Sequence, residues 1–141
     1  MTSNVKTQIG VTFRRDENFI ERTNMNIKKW QHAVHRLALD KGWYDGAIRT
    51  VDYDLHPLEI AGRLANVHGE VSEALECLRD SEMDTWHGPT GKPEGIGIEL
   101  ADAVIRIMDL CEAIGIDLEE CMSIKHEYNE TRSRRHGGKA L

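Results

Sequence analysis

The sequence predicts an all-α fold, a single domain built as a four-to-five-helix bundle. Apolar residues recur at intervals of three and four in four separate segments. Apolar–polar alternation of strand length is almost absent, and glycine, proline and cap residues punctuate the segments where helices should begin and end. At 141 residues the chain has the length of one ordinary domain.

Residues 1 to 23 are polar apart from a short apolar patch around Val11 and Phe13, and read as an N-terminal arm or tail ahead of a domain over residues 24 to 141. Asn24 is the expected N-cap of a first helix, on which Ile27, Trp30, Val34, Leu37 and Ala38 form a stripe that "KGWYDG" terminates. Residues 45 to 56 connect to a second helix that opens on Pro57, a residue suited to the first helical position. Its stripe of Ile60, Leu64, Val67, Val71, Leu75 and Leu78 continues to about Arg79. The following "DSEMDTWHGPTGKPEG" is too rich in glycine and proline for a helix and reads as a loop. Within it "GPTGK" lacks the spacing of a phosphate-binding P-loop, because only two residues separate Gly88 from Gly91 and Pro93 follows Lys92. A third helix covers roughly residues 95 to 115. Asp117 and Glu120 form a capping box for a fourth, expected to run to about Arg135 with Leu118, Cys121 and Met122 inward.

Charge narrows the functions available. A net charge of -6 argues against a surface made to hold a nucleic-acid polymer, which needs a net basic patch. An acidic protein that handles phosphates needs a metal to mediate. Cys77, Cys111 and Cys121 are odd in number, widely spaced and set in helical patterns, which suits small core residues of a reduced, cytoplasmic protein. The opening "MTSNVKTQIG" lacks an apolar leader core. The most apolar segment, 96 to 116, is interrupted by Glu99, Asp102, Arg106, Asp109 and Glu112, so neither a signal peptide nor a membrane span is expected.

Two carboxylate pairs stand out. Glu70 and Glu73 lie three apart in "HGEVSEALE", and Glu99 and Asp102 repeat the spacing in "IELADAVIRIMDL". At about 100° per residue, each pair holds the same angular position beside its helix's apolar stripe. Ile98, Ala101, Ile105 and Met108 give the third helix a second apolar face, which sets its acids between two buried surfaces. Buried ionised carboxylates need cations or they neutralise. A hard divalent ion meets that need: Mg²⁺, with Mn²⁺ sharing its preference for oxygen ligands, and Mg²⁺ commonly shares its shell with substrate phosphates. No His or Cys stands at zinc-ligand spacing beside the acids. A single such pair on a helix is usually a solvated face; two in matching phase weaken that reading. On the fourth helix, Lys125, Asn129 and Arg132 fall within about 60° of one another and could hold a polyphosphate, or be an ordinary polar helix end. Arg134, Arg135, His136 and Lys139 in the tail add charge beside glycines.

The two acidic pairs, 25 residues apart, followed by "KHEYNETR" and "HGGK", resemble the MazG-like all-α nucleoside triphosphate pyrophosphohydrolases over roughly residues 30 to 139. The resemblance implies that Glu70, Glu73, Glu99 and Asp102 are the metal ligands and catalytic acids. It implies that a metal-activated water cleaves a nucleoside or deoxynucleoside triphosphate into its monophosphate and pyrophosphate, a reaction suited to house-cleaning of the nucleotide pool. Lys125, Asn129 and Arg132 would then contact phosphate, and His35, Trp43 and Trp30 would stand against the base. Trp30 also reads as core, and His35 as a surface residue. One of the inner acids, with Glu73 the leading candidate, would accept the proton of the attacking water; spacing does not choose the base among the four. The resemblance further implies a bundle completed by oligomerisation, as a homodimer or homotetramer. Within this class a dUTPase-like or phosphoribosyl-ATP-cleaving relative fits the same acids. A ferritin-like redox di-metal protein would want Glu-x-x-His pairs, which neither Glu70 nor Glu99 begins. A non-catalytic helical oligomer that binds metal or nucleotide is a third reading.

Overall fold

The structure is a computed structural model and describes residues 25–52 and 54–133. The described chain is mostly helical, with four helices and one two-stranded hairpin. It divides into two compact units, one over Ala47–Ile107 and the other comprising Met25–Gly46 and the residues from Met108 onward. The N-terminal arm, Asn24, and the basic residues Arg134, Arg135, His136 and Lys139 lie outside the described residues.

In the first unit, the connection after Gly46 folds back on itself through an antiparallel bridge between Arg49 and Leu55, and Leu55 is buried. Helix α2, Pro57–Arg79, starts with Pro57 in its first turn, as the sequence predicts. His56 caps it, its Nδ1 accepting from the Leu58 N–H at 3.2 Å. No glycine follows α2, so Ser81 adopts the left-handed conformation at φ 62° while the Glu82 N–H donates back to the Cys77 carbonyl at 2.8 Å.

The segment read as a loop contains a hairpin. Strands β1, Trp86–His87, and β2, Pro93–Glu94, pair antiparallel with Trp86 opposite Glu94 and His87 opposite Pro93. Its turn is closed by the Gly88 N–H donating to the Lys92 carbonyl at 2.9 Å. Two residues per strand are too few for alternation to show in the sequence. Gly95 then turns the chain into helix α3, Ile96–Ala113, at φ 109°. A Cβ there would stand 2.3 Å from the Asp84 carbonyl oxygen, so no other residue fits without moving backbone.

The second unit contains helix α1, Ile27–Asp40, the C-terminal part of α3, and helix α4, Leu118–Glu130. Asn26, not Asn24, caps α1, its side chain accepting from the Lys29 N–H at 2.9 Å. Asp117 caps α4 as expected and accepts from the Glu120 N–H at 3.1 Å. Helix α4 stops at Glu130, short of Arg135, where Thr131 turns its hydroxyl onto the Tyr128 carbonyl at 2.7 Å. Polar contacts join α1 to its neighbours, while Ile27, Val34 and Ala38 of its stripe are half-buried and Trp30 and Leu37 exposed. Gln31 is buried and donates to both Glu112 and the Ile116 carbonyl while accepting from the Leu118 N–H. Lys28 pairs with Asp117 at 2.7 Å, which holds the Asp117 carboxyl below the ordinary carboxylate value.

Burial corrects the expected core. On α2 the buried residues are Glu70 and Ala74, while Leu64, Val71, Leu75 and Leu78 are exposed. On α3, Glu99, Ala103 and Leu110 are buried and Leu100, Val104, Ile105 and Ile107 are exposed. Each helix therefore turns inward the face that carries its acids, leaving the apolar stripe outward within the single chain. Cys121 and Met122 are exposed, not inward. Cys77 and Cys111 are half-buried, and desolvation pushes both thiols up, consistent with unreactive packing residues.

Two substitutions test these backbone readings by chemical denaturation. Gly95→Ala is expected to cost about 2 to 3 kcal/mol, whereas Ser81→Gly relieves a left-handed position and gains up to about 1 kcal/mol. Equal stability of both variants and wild type would contradict the geometry.

Candidate metal centre

The site forms where α2 and α3 present the same local pattern. Each helix carries an acid, a second acid three residues on, and an alanine at the fourth: Glu70, Glu73 and Ala74 on α2, Glu99, Asp102 and Ala103 on α3. Residues four apart lie one above another on a helix face, so each alanine continues the line of its buried glutamate. Both alanines are buried, and their small side chains keep bulk off the faces that carry the acids. This repeated alanine is a sequence signal that the spacing of the acids alone does not capture.

Ligand-capable oxygens of Glu70, Glu73 and Glu99 all lie within 4.8 Å of one another. Glu70 and Glu99 are buried and Glu73 is exposed, so the group opens to solvent on the Glu73 side. Asp102, expected as the fourth member, is half-buried and stands outside that group of three. At 4.8 Å two full charges repel by about 3 kcal/mol at an effective dielectric near 20. Burial, and then the charge of Glu73, hold the Glu99 carboxyl above its ordinary value; Lys92 opposes the shift. Burial and the charge of Glu70 raise Asp102 likewise, against Arg106 and Lys92.

Two cations attend the acids. Arg106, four residues beyond Asp102 on α3, places its Nε 2.5 Å from Oε1 of Glu70. Lys92, on the hairpin, pairs with Glu94 at 3.1 Å. The sequence reading gave neither residue a role at the site. For Arg106 the available signal is its spacing of four from Asp102, which places both on one face of α3.

The donor set is oxygen only, carried by three carboxylates, with no imidazole or thiol among them. That chemistry fits a hard divalent cation such as Mg²⁺ or Mn²⁺, which would relieve the repulsion that raises Glu99.

The remaining expected site residues belong to the other unit. Lys125 and Asn129 lie on α4 and Arg132 follows its end. Lys125 Nζ and the Arg132 guanidinium both flank the Tyr128 ring, at 4.9 and 5.9 Å from its centroid. His35 is not a surface residue: its Nδ1 lies 2.7 Å from Oδ1 of Asp109, and its ring meets Tyr44 edge to face at 5.0 Å. The Tyr44 hydroxyl donates to Oδ2 of the same aspartate at 2.9 Å, so Asp109 holds both. Trp43 and Trp30 are exposed, which removes the reading of Trp30 as core in this chain. Among the described residues no helix is long and apolar enough to cross a membrane. Compared with protein-family models, characterised proteins and solved structures, the chain matches none.

The raised carboxyl of Glu99 fixes a sign. Its folded-state value lies above the ordinary 4.5, so the folded form binds the proton more tightly than the unfolded chain does. Stability of metal-free protein therefore falls as pH rises from 4.5 through the raised value, the reverse of a salt-bridged carboxylate. Thermal melts in chelator should show Glu99→Gln more stable than wild type at pH 7, with the difference closing toward pH 4.5. A variant less stable than wild type at pH 7 would contradict the electrostatic account.

Proposed function

We propose that this protein is a Mg²⁺-dependent nucleoside triphosphate pyrophosphohydrolase of the MazG-like all-α type, converting a (d)NTP and water to a (d)NMP and pyrophosphate. One observation carries the reading: carboxylates from two helices, two of them buried, converge within 4.8 Å with oxygen donors alone. The resemblance of the paired acidic motifs supplies the reaction.

Glu70, Glu73 and Glu99 would hold the ion, with Asp102 beside them; Mn²⁺ would serve in the same oxygen set. When bound, the cation neutralises phosphoryl charge and makes water nucleophilic at neutral pH. Glu73, the solvent-facing member of the group, is the acid best exposed to accept the water's proton. Lys125, Asn129 and Arg132 are assigned to the phosphates, and His35, Trp43 and Trp30 to the base. Nucleotide-pool house-cleaning in the cytoplasm is the corresponding role.

The exposed stripes of α2 and α3 support an oligomer. Leu64, Val71, Leu75 and Leu78 on one helix, and Leu100, Val104 and Ile107 on the other, form continuous apolar lines rather than scattered residues. A homodimer or homotetramer would cover them. Light scattering should return a multiple of the 16.0 kDa chain mass, and a monomer at micromolar concentration would contradict this part of the proposal.

Activity is tested by incubating the protein with a panel of NTPs and dNTPs and separating the products. Monophosphate with pyrophosphate, abolished by EDTA and reduced at least a hundredfold in Glu99→Gln, is the expected result. Full turnover by Glu73→Gln would remove that residue as the base. Metal and nucleotide binding without product would favour the non-catalytic reading, and cleavage confined to dUTP or phosphoribosyl-ATP would favour those relatives.

A further inference from the structure

Arg106 is the cation in direct contact with the acidic group, and its position is built by the fold. It lies on α3 one turn beyond Asp102 and two turns beyond Glu99, so it shares their face, yet its Nε bonds to Glu70 on α2 at 2.5 Å. Glu70 is buried, its side chain 8% exposed, and a carboxylate so placed needs a fixed partner. The guanidinium takes Oε1 and leaves Glu70 its second oxygen.

We infer that Arg106 is a positioning residue for the metal centre: it locks one oxygen of Glu70 so that the carboxylate stays directed at Glu73 and Glu99, and it remains bonded when the divalent cation binds. The inference rests on the metal-dependent reading given above. Charge favours coexistence over competition. The three carboxylates of the group match the charge of a divalent ion and one guanidinium together, so both cations can be held there. A planar guanidinium bonded through Nε fixes orientation as well as charge, which a point-charge ammonium on a flexible four-carbon stem does not. Carboxylates that ligate metals are commonly held in this way by an outer partner, whose loss lowers metal affinity about 10- to 100-fold.

Arg106 gives a direct readout in wild-type protein. Its Nε–H resonance, assigned by its loss in Arg106→Lys, is followed while Mg²⁺ is titrated, with saturation read from the amides of residues 70, 73 and 99. The expected result is an Nε–H that stays protected from exchange through saturation. In parallel, Arg106→Gln should bind Mn²⁺ about 10- to 100-fold more weakly by electron paramagnetic resonance, with Arg106→Lys recovering only part of the loss. Circular dichroism in chelator checks that both variants fold; if Arg106→Gln does not, the wild-type resonance decides alone. Loss of Nε–H protection in step with Mg²⁺ saturation, or undiminished Mn²⁺ affinity in a folded Arg106→Gln, would overturn the inference and make Arg106 a stand-in that the metal displaces. No response of those amides to Mg²⁺ in wild type would overturn the metal reading itself, a failure visible before any variant is compared.

Discussion

The bond between buried Glu70 and Arg106 is the interaction on which this arrangement of helices depends. Helices α2 and α3 turn toward each other the faces that carry their acids, not the faces that carry their apolar residues. Hydrophobic burial alone would choose the opposite rotation, because Leu64, Leu75, Leu100 and Ile107 would each gain about 1.5 to 3 kcal/mol on full burial. Two features make the observed rotation tolerable. Alanines at 74 and 103 add little bulk to the buried faces, and the guanidinium neutralises Glu70, one of the two buried acids.

The arrangement leaves an electrostatic deficit. Glu99 and Asp102 are both pushed toward their neutral forms by burial and by neighbouring acids, so the metal-free group holds stored repulsion. A site of this kind is the reverse of a stability device. On the proposed reading, a cation bound there would relieve that repulsion and stabilise the fold, on the side where Glu73 meets solvent. The outward apolar lines on the same two helices extend the logic to assembly, since burying the acids inward leaves the hydrophobic surface available to another chain.

Much of this was legible in the sequence, and the misses have identifiable causes. Pro57, Arg79, Asp117 and Glu120 set helix limits because caps and breakers act locally, so α2 and the start of α4 fall where the pattern puts them. Matching phase of the two acidic pairs led to the expectation of four converging acids; the structure brings Glu70, Glu73 and Glu99 together and leaves Asp102 outside the group. The expected core failed because periodicity identifies an apolar face without saying whether that face is buried within one chain. The cap at Asn26, the hairpin in the glycine-rich segment and the end of α4 at Thr131 depend on side-chain bonds and single φ angles that spacing does not encode. Arg106 and Asp109 were visible only as charges interrupting an apolar helix. Their partners, Glu70 on α2 and His35 on α1, come from distant segments.

The most direct test of the central claim is the anomalous scattering of Mn²⁺ in crystals of the protein soaked at millimolar concentration. The account predicts a peak within coordination distance of carboxylate oxygens of Glu70, Glu73 and Glu99, with Arg106 still on Glu70. Manganese bound elsewhere, with none between those three acids, would contradict it.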